Sequence, residues 1–521
     1  MDKFWEEFET GEIHFRDKWQ FELKSEFFPI SDLKQSEYIQ EFFIFIPNSL
    51  QINSQTYTKS DFYHDQTNLI RFKTPDISFT ELVNPHNHHS PLTRLMEVKS
   101  DTPTSTIEFE LKLFANIFRS NLRKLGYPLI FLVEKAHNND EFGECKYQLE
   151  KLLYEIGQTL NKFDDVKNAI LQQPNRLSLQ PIFGYIKDMM SISLNSTMTG
   201  LLEAVRSKQQ PLLHSVDQSI CQLLTREKKY RESRLEEPSQ FSTDPGMNES
   251  ILYQSGLLNK FTMDALQLQT KRLAVDQKFR TLVAGMAAAV AMLLFLLLYI
   301  WQGAVFVINS LPFVIFTVVI YVLKDRLKEE LKNLSYKHMV RWFPDYTTEI
   351  RSPSGNTVIG KMHESFTFME SEEVSTDIWR LRNEGYHTYL DMIKRPEQVI
   401  YYKKIVGIYQ NPQTITSRLQ ALNIIFRHDI HKFLAKGSNP YEPYVTLDPE
   451  TLELTQIFLP KVYHINIILK NTYLTPDLSQ KIEYKKFRLV VDKDGIKRIE
   501  SLSHNGSNSN GKHNLDTRAS V

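Results

Sequence analysis

Only two cysteines, Cys145 and Cys221, occur in the chain. Two thiols exclude both a disulfide framework and a cysteine-built zinc site. Both fall within helical patterns and read as small buried hydrophobes. Net charge is missing too, since Lys+Arg and Asp+Glu are each 62. A neutral chain has no broad basic field, so no nucleic-acid partner is expected. The opening segment, Met1 to Glu7, is acidic and has no apolar h-region. A secretory signal peptide is therefore not expected, and the residues up to Arg280 should stay on the side where they are made.

The sequence also lacks the common signatures of chemistry. There is no GxGxxG and no complete Walker A loop. The nearest approach is Gly355 followed by Gly360-Lys361, where Met362 replaces the magnesium-binding hydroxyl. There is no GxSxG, and His363-Glu364 does not extend to HExxH. Asp492-Lys493-Asp494-Gly495 fails as a calcium loop, because Val490 and Ser501 occupy its first and last ligand positions. It reads as a hairpin turn. His86, His88 and His89 lie too close together to converge on one ion and read as solvated. The one pair with metal-binding spacing is His428 and His431. They stand i,i+3 on a predicted helix that starts at Asn411-Pro412 and has Ile415, Leu419, Leu422, Ile425 and Phe426 as its apolar face. The bland reading of that pair is a polar helix face. No cofactor is expected.

What the chain does have is one long uncharged stretch. From Thr281 to Leu323 no residue is charged, and Leu, Val, Ile, Ala, Met and Phe dominate. A membrane span needs about 20 apolar residues. The stretch is long enough for two, at 281–301 and 305–323, with a turn at Gln302-Gly303. Gly285 and Ala289 offer a small-residue packing surface, and Asn309 would seek a partner across the pair. Pro312 would kink the second span. Basic residues flank both ends, namely Lys271, Arg272, Lys278 and Arg280 before and Lys324, Arg326, Lys328 and Lys332 after. The positive-inside rule then places both termini in the cytoplasm, at the plasma or inner membrane in a bacterium.

Heptad spacing runs through Leu258, Phe261, Ala265, Leu268, Arg272, Val275 and Phe279. It predicts a stalk helix over 251–280 that continues into the membrane. Leu327, Leu331 and Leu334 predict a second stalk helix over 324–338. The remaining expectations are a β-rich or α+β domain at 1–83, a linker at 84–106, a helical bundle at 107–237 and a linker at 238–250. A C-terminal α+β domain follows at 339–502, then a disordered tail at 503–521. The whole is a multi-domain α+β membrane protein. The function expected is that of a mostly cytoplasmic scaffold or signal-coupling protein. Its partners would be the lipid bilayer and either another protein or a second copy. A membrane-bound enzyme with an unfamiliar site in the C-terminal domain, or a pore-forming effector, are the alternatives.

Overall fold

The computed structural model describes residues 13–30, 33–235, 248–274, 276–305, 307, 310–339, 344–353, 357–384, 397–409, 418–450 and 452–501. Among these, the strands are β1 (Ile13–Phe15), β2 (Gln20–Phe27), β3 (Gln35–Pro47), β4 (Gln66–Phe72), β5 (Gln269–Ala274), β6 (Tyr346–Arg351) and β7 (Val358–Met369). They continue with β8 (Glu397–Tyr409), β9 (Leu422–Asp429), β10 (Tyr441–Leu447), β11 (Leu454–Pro460), β12 (Tyr463–Leu474), β13 (Gln480–Asp492) and β14 (Gly495–Ser501). The helices are α1 (Lys59–Asp65), α2 (Phe79–Val83), α3 (Pro91–Met96), α4 (Thr104–Lys135), α5 (Asn139–Leu171) and α6 (Gln180–Lys208). After them come α7 (His214–Arg234), α8 (Glu249–Met263), α9 (Asp276–Val305), α10 (Leu311–Met339), α11 (Thr376–Asn383) and α12 (His431–Leu434).

The chain forms two compact units, each assembled from separated segments. The first contains 70–268 and 412–423 and is helical. Its core is aromatic: Phe114 stacks on Phe163 at 5.4 Å, and Phe163 meets Phe183 at 5.9 Å. Met189, Met190 and Met198 fill the same core. Gly126 of α4 faces Thr197 of α6 so closely that a Cβ would meet Cγ2 at 2.2 Å. The segment expected to be a linker at 84–106 is instead folded. Ser90 and Thr93 are buried and donate to the carbonyls of Leu82 and Asn84.

The expected stalk does not form. α8 ends at Met263, and the chain then turns and becomes β5. Leu258 and Leu268 are buried in the helical unit, and the Phe261 ring lies under Lys112 Nζ at 4.3 Å. Asn116 fixes the end of α8 by donating to the Thr262 carbonyl at 2.7 Å. The heptad spacing thus joined core positions of one unit to a strand of the other. The β5 backbone is satisfied by antiparallel pairing with β6, from Gln269 opposite Arg351 to Ala274 opposite Tyr346. Tertiary pairing of this kind overrides a helical spacing. Phe279, Leu331 and Leu334 lie on α9 and α10, but their side chains are outside the described residues.

The second unit contains 11–69, 269–411 and 424–521. Its main sheet has the order β14-β13-β12-β3-β8-β7-β6-β5. An N-terminal β-rich domain separate from the C-terminal one is therefore corrected. β3 lies between β12 and β8, with Phe42 opposite both Leu469 and Tyr402. The reason is its run Phe42-Phe43-Ile44-Phe45-Ile46, buried on both faces. A run apolar on both faces belongs inside a sheet. Phe42, Ile44 and Ile46 pack with Phe62, Ile400, Ile465 and Leu489 on one side. Phe43 and Phe45 pack with Ile378 and Leu381 of α11 on the other.

The Asp492–Gly495 segment closes the β13–β14 hairpin, where Asp492 Oδ1 accepts from the amides of Asp494 and Gly495. The tail beyond Ser501, the 238–247 stretch and Asn309 lie outside the described residues.

α9 and α10 pack side by side and antiparallel. Gln302 is inside α9, not in a turn, and its Nε2 donates to the Phe313 carbonyl and to Thr317 Oγ1, each at 2.7 Å. α9 ends at Val305 and α10 begins at Leu311, and Pro312 sits in the first turn of α10, where its missing N–H is not needed. One helix, over Gly285–Val305, is long and apolar enough to cross a membrane. The uncharged part of α10, Leu311 to Leu323, is too short to qualify. Gly285 and Ala289 face outward, and Ala287 and Ala291 are the buried small residues.

Gly495 has φ +133°, and a Cβ there would meet the Lys18 carbonyl oxygen at 2.2 Å. Gly495→Ala should therefore cost about 1–3 kcal/mol, read as a lowered unfolding midpoint in mild detergent.

Candidate functional site

The expected histidine pair does not converge. His428 lies on β9, a strand rather than a helix, and His431 opens α12. The β-branched run Ile424-Ile425 favours the strand. His428 is fully buried among the rings of Phe62 at 5.1 Å, Phe433 at 5.3 Å and Phe426 at 5.9 Å. Neither of its ring nitrogens has a hydrogen-bond partner. Burial, aided by Lys432, pushes its pKa down to about 3, so it is a neutral aromatic filler at neutral pH. His431 is exposed and stands edge-on to Trp19 at 4.7 Å. Among the described residues no group of three His, Cys, Asp or Glu side chains has metal-binding geometry.

The densest polar chemistry lies elsewhere, in the second unit, around two buried carboxylates. Glu364 on β7 takes hydrogen bonds at Oε1 from Gln66 Nε2 at 2.9 Å, Asn68 Nδ2 at 2.7 Å and the Tyr402 hydroxyl at 2.8 Å. Arg272 of β5 forms an ion pair with its Oε2 at 3.4 Å. That guanidinium also lies over the Tyr346 and Tyr63 rings, 4.0 and 4.7 Å from their centroids. Asp345 accepts from the Tyr63 hydroxyl at 2.9 Å and the Phe366 amide at 2.8 Å, and pairs with Lys59. Lys404 on β8 is fully buried and donates to Asn68 Oδ1 at 3.2 Å. Burial lowers its pKa to about 7, against the raising effect of Glu364.

This arrangement is a satisfied network, and such networks fix one packing of a core. Both Glu364 oxygens are engaged by donors. A cavity of about 660 Å³ is lined in part by Lys59 and Phe366 of the network. One of its acids, Glu397, is held by Arg382 in a two-point ion pair. No spacing in the sequence could have revealed the network, because β4, β5, β6, β7, β8 and α1 each supply a member.

Two surfaces remain with unspecified occupants. One is the outward face of α9 and α10, where Met286, Leu293, Leu297 and Ile300 on α9 and Ile315, Val318 and Val322 on α10 are exposed. The other is the β10–β11 ribbon, in which every residue of both strands is exposed. One face of it carries Tyr441, Pro443, Val445 and Leu447 opposite Pro460, Phe458, Gln456 and Leu454. A two-stranded ribbon alone is marginal in water, and its apolar face asks for cover. No protein-family model, no curated protein and no solved structure matches this chain.

The folded chain keeps Lys404 neutral above about pH 7, whereas its ordinary pKa is 10.5. Unfolding therefore takes up a proton between those values, and stability rises as pH increases across that window. The unfolding midpoint should climb from pH 7 to pH 9 in the wild type and stay flatter in Lys404→Met. Glu364→Ala would remove the acceptor shared by Gln66, Asn68, Tyr402, Arg272 and Thr348 and should cost about 3–5 kcal/mol, measurable by denaturant unfolding in detergent.

Proposed function

We propose that the chain is a membrane-anchored interaction protein without catalytic activity. The anchor is the α9–α10 pair, and both soluble units lie on the cytoplasmic side. The observation that carries the reading is α9 itself, a long apolar helix whose side chains from Met286 to Ile300 are largely exposed to the surroundings. A soluble protein would bury such a face. The β5–β6 pairing supports an out-and-back path. It holds Ala274, just before α9, opposite Tyr346, just after α10. Lys278 and Arg280 on one arm and Lys324, Arg326 and Lys328 on the other put the basic residues at the same end, which favours a cytoplasmic position for both.

The ribbon is the surface for a protein partner. Glu442, Asp448, Glu450 and Glu453 outnumber Lys461 there. An anionic lipid surface is repelled by that charge, so the fitting occupant is an apolar protein surface with a basic rim.

Wild-type protein should stay in the membrane pellet after alkaline carbonate washing. Replacing Leu293, Leu297 and Ile300 with Lys should release it. Phe458→Asp with Leu454→Asp should leave it in the pellet and abolish recovery of its partner in mild detergent. A wild type that washes off, or that is monomeric with no partner recovered, contradicts the reading.

A further inference from the structure

The α9–α10 register fixes how thick a bilayer the pair can match. Gln302 bonds to Phe313 and Thr317, and farther along Phe295 meets Tyr321 with ring centroids 6.4 Å apart. Lys324 Nζ then lies 3.9 Å from the Tyr321 ring centroid and 5.6 Å from that of Phe295. Lys324 is therefore abreast of the middle of the apolar α9 segment. From Leu311 to Leu323 the helix rises about 20 Å at 1.5 Å per residue, whereas a typical hydrocarbon core is about 30 Å thick.

A core of that thickness leaves a mismatch that must be met somewhere. Drawing Lys324, Asp325 and Arg326 into hydrocarbon is one way. Lys324 faces Asp325 at 3.5 Å, but Asp325 and Arg326 are exposed, so α9 does not shield them. Lys324, Asp325 and Arg326 would each be penalised by up to about 2.5–3.5 kcal/mol, against a fraction of a kcal/mol per ångström for roughly 10 Å of thinning. Leaving the connection between the helices inside the hydrocarbon is another way, and it strands backbone groups without partners. Thinning is the least costly of the three. The composition of α9 fits the same depth. Its half abreast of the uncharged part of α10 is Leu293-Leu294-Phe295-Leu296-Leu297-Leu298, and its other half is Ala284-Gly285-Met286-Ala287-Ala288-Ala289. Small side chains lose little when they leave hydrocarbon for the headgroup layer.

We propose that the α9–α10 pair is matched to a hydrocarbon core of about 20 Å, so that the protein selects or induces a membrane thinner than average. The proposal rests on the membrane-anchor reading and adds a lipid preference to it. The full-length protein would be offered equal amounts of two phosphatidylcholine vesicle populations, with 14-carbon and 22-carbon monounsaturated chains, distinguished by density. The expected result is at least about fivefold enrichment in the short-chain vesicles. The triple substitution Lys324→Leu, Asp325→Leu and Arg326→Leu lengthens the uncharged arm and should shift the preference toward the longer chains. Equal partition, or enrichment in the 22-carbon vesicles by the wild type, overturns the thickness proposal and leaves the anchor standing. Failure to float with either population overturns both.

Discussion

The position of β3 is the constraint on which the second unit depends. Its five consecutive apolar residues, Phe42 to Ile46, are buried on both faces. Each face needs a layer and each edge needs a strand. The neighbours that satisfy this are β8 and β12, which come hundreds of residues later in the chain. Everything between must therefore leave and return. The chain leaves this unit after Leu69 and comes back at Gln269, having built the helical unit on the way. It leaves the sheet again after β5 and returns at β6, having built α9 and α10. That second departure begins and ends on paired strands, so α9 and α10 are necessarily an out-and-back excursion.

The same geometry explains which polar residues are buried. Closing a sheet from distant segments brings Glu364, Tyr402 and Lys404 into its interior, with the exposed Arg272 of the edge strand β5 reaching in to pair with Glu364. A buried carboxylate with fewer partners would be strongly destabilising. Here Gln66, Asn68, Tyr402 and Arg272 share the task. Lys404 is held at the edge of ionisation by burial. Its amine donates to the Asn68 side chain and so ties β8 to β4. Specificity of packing is the physical role this supports.

The sequence made some of this legible and hid the rest for definite reasons. The uncharged stretch from Thr281 to Leu323 is local, and so is the helical periodicity between Ile107 and Leu235. Both could be read from neighbouring residues. The partners of β3 could not, because strand pairing across such distances leaves no periodic trace. The heptad from Leu258 to Phe279 was misleading, since it ran across the junction of two units and matched a spacing by coincidence. His428 and His431 looked convergent only on the assumption of a helix. The Gln302-Gly303 pair resembled a turn, yet the glutamine is an internal staple between two helices. What sequence reading missed most completely was the register of the two helices. Lys324 reads from sequence as an end marker, and only the register of α10 against α9 places its amine beside Phe295.

The central claim is that α9 and α10 lie in lipid as a pair, with their polar ends on one side. Its most direct test is a spin-label scan from Met286 to Val305 and from Leu311 to Lys328 in reconstituted vesicles. It would compare collision with oxygen, which enriches in hydrocarbon, against collision with a water-soluble nickel chelate. The account predicts oxygen-dominated collisions on outward positions from Leu293 to Val305 and from Leu311 to Leu323. Nickel-dominated collisions should begin at Lys324 and, on the opposite helix, near Val290. A profile dominated by nickel along both helices would contradict the account.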